Sequence, residues 1–164
     1  MADEVAFDKW RAELCAVGRI VQDDDSSVSA DDAESRFNRY ISMLDAVTGN
    51  EHPDYALAIL ASIQSIHDYG AYQTTIDAAL RFGPQRFSTA LLTELPRLIE
   101  DLPDWAGELL NVVVNTTSRD LVGPFNDVLL DCDEDRRELV VEFVRENEAS
   151  GWLEHKRGLL APDR

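Results

Sequence analysis

Apolar side chains recur along this chain at spacings of three and four, the repeat of an amphipathic helix, and no stretch shows the two-residue alternation of a half-buried strand. Residues 5–21 set Phe7, Trp10, Leu14, Val17 and Val21 on one helical face. The acidic, Ser-rich run 22–32 interrupts this pattern and reads as a solvated loop, with Ser29 placed to cap the next helix. That helix, 31–47, carries Phe37, Ile41, Leu44 and Val47, with Tyr40 and Met43 widening its apolar side. Asp31, Asp32 and Glu34 in its first turn suit the positive end of the helix dipole, and TGNEHP at 48–53 ends it.

From Pro53 the predicted helices come in pairs. Tyr55–His67 and Ala71–Phe82 flank the turn DYG, and a stripe of Phe87, Leu91, Leu95 and Leu98 or Ile99 is followed by one of Trp105, Leu109, Val112 and Val113. The β-branched run 112–114 follows WAGELL, which favours a helix over a strand. Pro84 and Pro103 suit first helical turns, whereas Pro96 removes an interior hydrogen bond and predicts a kink or break between Glu94 and Pro96. Ser118 is placed to cap a helix bearing Leu121, Val122, Phe125, Val128 and Leu129, whose first turns Pro124 disturbs. Leu139, Val140, Phe143 and Val144 mark another helix, with Asp133 as its cap, and a short last one spans Trp152–Leu160. Pair starts near 53, 84 and 118 repeat at about the length of a helix-turn-helix unit. The expected fold is all-α: an irregular stack of antiparallel helix pairs, either a HEAT-like solenoid or a helical bundle. One domain covers 1–164, with 1–50 as amino-terminal helices and 53–149 as stacked pairs.

Composition adds an electrostatic constraint. Against 15 Lys and Arg stand 32 Asp and Glu, a formal net charge of -17 on 164 residues. Such an excess repels nucleic acid and anionic membranes and complements a basic partner; an acid-rich proteome is the competing explanation. Two isolated cysteines, Cys15 and Cys132, give neither a disulfide framework nor a C-x-x-C zinc pair. The start MADEVAFDKW lacks a signal peptide's basic and apolar runs, and no stretch approaches the roughly 18 apolar residues of a membrane span. The expected location is the cytoplasm.

Catalytic signatures are weak throughout. His52, His67 and His155 are far apart in sequence, and none belongs to H-E-x-x-H. Neither DDD at 23–25 nor DCDEDRRELVVE at 131–142 has the central glycine and oxygen spacing of an EF-hand, and neither a Gly-rich phosphate cradle nor G-x-S-x-G occurs. Paired carboxylates are too abundant here for spacing alone to mark an acid–base site. The chain is therefore expected to be no enzyme and to carry no cofactor or metal.

The chemistry that stands out is acid gathered on helices. Eight acidic residues and three arginines lie between Asp131 and Glu148, and Glu134, Glu138, Glu142 and Glu146 recur every four residues. Like charges at that spacing repel by a few tenths of a kcal/mol per pair, a cost that an external cation would offset. Glu100, Asp101, Asp104 and Glu108 form a second group without Lys or Arg. Either group could equally be a plain solvated face. Tight association also needs buried anchors, for which Tyr69 and Tyr72 in DYGAY, Trp105 and Trp152 are candidates.

The stretch from Tyr55 to about Glu148 resembles the small helical immunity proteins of bacterial polymorphic and contact-dependent toxin systems, and is most similar to the immunity protein 30 family. DYGAY, FGPQRFSTALLTELPRLIEDLPDWAGELLNVVVNT and DEDRRELVVEFV carry that likeness. The resemblance implies a non-enzymatic inhibitor that covers a cognate toxin domain, often a nuclease. On that reading Asp101, Asp104, Glu108, Glu138, Glu142 and Glu146 oppose the toxin's phosphate-gripping Lys and Arg, while Tyr69, Tyr72 or Trp105 supply apolar anchors. A helical adaptor for some other basic protein and a small-molecule enzyme of unrecognised class remain alternatives, and the sequence leaves the oligomeric state open.

Overall fold

Capping side chains and prolines set many of the helix boundaries. The computed structural model describes residues 2–22 and 24–161; Asp23 of the acidic loop lies outside them. Among the described residues there are eight α-helices and no strand: α1 (Ala2–Gly18), α2 (Ala30–Asp45), α3 (Asp54–Ala61), α4 (Ala71–Leu80), α5 (Pro84–Asp101), α6 (Pro103–Asn115), α7 (Val122–Asp131) and α8 (Glu134–Ser150). The all-helical expectation holds. Ser29 caps α2 by accepting from the Asp32 amide at 3.1 Å while its hydroxyl donates to the Asp32 carboxylate at 2.8 Å. Asp133 caps α8 through the Arg136 amide at 2.9 Å.

Four boundaries differ from the sequence reading, each for a physical reason. No break occurs at Pro96, which lies inside the continuous α5. Phe87, Leu91, Leu92, Leu95 and Leu98 are buried on both sides of it, and burial of that many side chains outweighs the ~3 kcal/mol of an interior proline. Ser118 does not cap α7; Leu121 begins it without a side-chain cap, and the Asp120 carboxylate accepts from the Gly123 amide at 3.3 Å. Pro124 is the third residue of α7, where an amide hydrogen has no helical acceptor in any case. Residues 151–161 form turns instead of a short helix, pinned where Asn126 donates to the Leu159 carbonyl and accepts from the Ala161 amide, both at 2.9 Å.

The fourth difference concerns α3, which stops at Ala61 instead of running to His67. Side chains remote in sequence take the polar groups of the following segment. Tyr72 accepts from the amides of Gln64 and Ser65, each at 2.9 Å, and donates to the Gly18 carbonyl at 3.0 Å. Gln22 accepts from the His67 amide and donates to the His67 carbonyl, while the Gln64 side chain donates to the Cys15 carbonyl.

Two compact units follow in the chain, Met1–Gly83 and Pro84–Arg164. In the first, α1 packs on α2 and α3, and α4 packs on α2 and α3; residues 1–50 thus share a core with the helix pair that follows them. Leu14, Leu44, Ile59, Leu60 and Ile63 fill this core together with Tyr40 and Tyr72. In the second unit α5 contacts α6, α7 and α8, around Leu91, Leu95, Leu109, Phe125 and Val140.

The first core also contains a hydroxyl chain. Tyr40 lies 2.7 Å from both Ser62 and Thr75; Ser62 reaches the Ile59 carbonyl at 2.6 Å, and Thr75 reaches the Ala71 carbonyl at 3.3 Å. Three hydroxyl hydrogens cannot serve all of these contacts, so the longest yields. The order is then Thr75 to Tyr40 to Ser62 to the Ile59 carbonyl, each donor polarising the next. Burial pushes the Tyr40 phenol well above its ordinary range, against the weaker downward pull of the two hydroxyls, and keeps it protonated for that role.

Between α2 and α3 the chain turns at Gly49, with φ of 86°. Arg81 caps the end of α2 from the far side, one guanidinium nitrogen donating to the Leu44, Asp45 and Val47 carbonyls at 3.2, 3.4 and 2.6 Å. The Glu51 carboxylate accepts from the Thr48 amide and hydroxyl and from the Gly49 amide, at 2.8 to 2.9 Å. Partial burial raises its pKa, but the donors together outweigh that and hold it below the ordinary 4.5. Its contribution to stability is therefore complete above the unfolded value and is lost as pH falls through the lower folded value. Glu51→Gln is expected to lower the urea midpoint at neutral pH, with the difference from the parent chain shrinking once the solution is acidic enough to protonate Glu51 in the folded protein. A difference independent of pH would contradict this assignment.

Candidate functional site

The outer face of α8 is defined by what its other face buries. Val140, Phe143, Val144 and Asn147 point into the second unit, which turns the row Glu138, Glu142, Glu146 to solvent on the opposite side. A parallel row, Arg137, Val141 and Arg145, lies beside it; Arg137 and Val141 are half-buried. Both rows border an open groove of about 840 Å³, whose other wall includes Leu129 and Leu130 of α7. Leu130 is 39% exposed. The arginines make this face less uniformly anionic than its glutamate repeat suggests.

The second acidic group surrounds the α5–α6 turn. Asp101 and Asp104 are exposed, while Glu108 and Trp105 are half-buried on α6. Ion pairs form elsewhere, as between Arg97 and Glu94 at 2.8 Å and between Arg136 and Asp133 at 3.6 Å. Asp101, Asp104, Glu108, Glu138 and Glu142 make no ion pair among the described residues. Their charge is left largely for solvent or a partner to balance.

The aromatic candidates divide sharply. Tyr72 is fully buried and its hydroxyl is saturated by backbone groups, so it serves the core and has no surface to offer as an anchor. Tyr69, three residues earlier, is 50% exposed and holds a left-handed conformation at φ of 49°, which is uncommon outside glycine and asparagine. It borders a cleft of about 220 Å³ in the first unit, with Phe37, Ile20, Arg19 and Arg36. With Glu34 also in the lining, these surroundings are mixed in charge and partly apolar, and the acidic candidates all belong to the second unit. Trp152 is 47% exposed, and one edge of its ring rests so close to Gly107 that a side chain there would overlap it.

Sequence periodicity missed Leu130 and Leu139 as surface residues. Leu139 belongs to the apolar stripe assigned to α8 and Leu130 follows Leu129 in α7, outside the stripe assigned there, and each is more than a third exposed; the direction from which neighbouring helices pack distinguishes them from Leu129 and Val140. Among the described residues no group of three His, Cys, Asp or Glu is arranged to hold a metal ion, and no helix is long and apolar enough to cross a membrane. The described residues thus offer a groove that combines Leu129, Leu130 and Val141 with a carboxylate rim, and an acidic α5–α6 turn. No family model, curated protein or solved structure matches the chain.

Proposed function

We propose that this chain is a non-enzymatic binding protein of the cytoplasm that covers a cationic protein, and, following the resemblance carried by DYGAY and DLPDWAGELL, that the partner is a cognate bacterial toxin domain. The observation carrying this reading is the set of carboxylates without ion pairs among the described residues at Asp101, Asp104, Glu108, Glu138 and Glu142, with a groove of mixed apolar and charged lining beside the last two. Such a surface attracts a cationic domain from solution and favours one orientation. Apolar contact then slows its departure, for which Leu130 in the groove and half-buried Trp105 next to Asp104 are candidates. A toxin that grips nucleic-acid phosphate with Lys and Arg presents the complementary chemistry, and covering those cations blocks it in a one-to-one complex.

The test is co-expression with each toxin domain encoded by the genes flanking this one, scored by co-purification and by survival of the host cell. The expected result is a stoichiometric complex and restored growth. Absence of both would overturn the immunity reading. Survival without a complex would overturn stoichiometric cover.

A further inference from the structure

We infer that the α7–α8 groove accepts an amphipathic helix bearing an apolar stripe flanked by bases on one side and acids on the other. This inference rests on the proposed protein-binding role and specifies the element of the partner that enters the groove.

The argument begins with the two rows of α8. Steps of four residues advance about 6 Å along a helix, so Glu138 and Glu142, which make no ion pair among the described residues, stand about 6 Å apart on the groove's rim. Lys or Arg at i and i+4 of an incoming helix repeats with the same step and meets these two glutamates. Leu129, Leu130 and Val141 provide the apolar surface of the groove, which suits a stripe at i, i+3, i+4 and i+7 of the guest. The row nearer the buried side contains Arg137 and Arg145 on either side of Val141. Those guanidiniums disfavour a guest that is basic all round. They admit one whose second flank carries Asp or Glu opposite Arg137, which makes no ion pair among the described residues, and Arg–carboxylate pairs of this kind are directional.

Bulk attraction to a chain of net charge -17 makes the opposite forecast, because it ranks guests by total positive charge. Two helical peptides with the same leucine stripe separate the ideas: one with lysine on both flanks, the other with lysine on one flank and glutamate on the other. Titrated into the full chain near physiological salt, the mixed-flank peptide is expected to bind at least about ten-fold tighter despite its lower charge. Leu130→Asp combined with Val141→Asp is expected to weaken it about ten-fold or more. Pure charge attraction predicts a gain from those added acids. Circular dichroism checks that the variant remains folded, and Leu130→Asn with Val141→Thr gives a milder version of the same test.

Tighter binding of the doubly basic peptide, or undiminished binding by the groove variants, would overturn the helix-in-groove inference. Competition separates this outcome from failure of the proposed function. Toxin binding that the mixed-flank peptide cannot displace sinks the inference and leaves the inhibitor reading standing; peptide binding without toxin binding does the reverse.

Discussion

Tyr72→Phe is expected to destabilise the first unit by about 2 kcal/mol or more. Removal of the hydroxyl leaves the buried Ser65 amide and the part-buried Gln64 amide without this acceptor, while the Gly18 carbonyl keeps the Ile20 amide at 3.0 Å. Buried backbone groups in that condition cost about 1–3 kcal/mol each. Tyr40→Phe is the control. It also deletes a buried hydroxyl from an adjoining ring, the two rings meeting edge-on at 6.3 Å. Ser62 nevertheless keeps the Ile59 carbonyl, and Thr75 can turn to the Ala71 carbonyl at 3.3 Å, so the expected loss is only about 1 kcal/mol. Urea denaturation followed by tyrosine and tryptophan fluorescence compares the two. Equal losses would mean that the segment after α3 does not depend on Tyr72.

Gly49→Ala is expected to cost about 2–4 kcal/mol. A left-handed residue other than glycine is unfavourable by about 1–2 kcal/mol, and at Gly49 the added Cβ would also overlap the Arg81 backbone carbonyl. Moving Arg81 disturbs the guanidinium that caps α2, so strain in one loop reaches two helices. Gly70→Ala isolates the conformational part. Its φ of 88° is nearly the same, but a Cβ there meets nothing within 4 Å. A thermal shift for Gly49→Ala well beyond that for Gly70→Ala supports the steric account. Equal shifts would reduce both positions to backbone preference.

Much of the helical layout was legible because it depends on neighbours in sequence. The caps at Ser29 and Asp133 need only an amide three residues ahead, and Pro84 and Pro103 need only the first turn of their own helices. Where the sequence reading failed, distant residues decide. The end of α3 is set by Tyr72, Gln22 and the last turn of α1, none of which a local window around residue 62 contains. Pro96 stays in a helix because leucines on both sides of it find a common core. In the candidate site, the glutamate period of α8 was legible, and so was the acid-rich α5–α6 turn. The opposite fates of Tyr69 and Tyr72 were not. Three residues apart in one turn, they differ in which way α4 faces the core, a tertiary fact. The groove itself requires α7 and α8 together and leaves no trace in either segment alone.

The account depends most on charge at the second unit's surface speeding capture of a cationic partner. Association and dissociation rates of the cognate toxin domain, measured across a salt series, address that claim most directly. For the parent chain the association rate is expected to fall about ten-fold or more from low to high ionic strength, while dissociation changes little. Combined Glu138→Gln, Glu142→Gln and Glu146→Gln should flatten the dependence. An association rate indifferent to salt and to those three substitutions would contradict it.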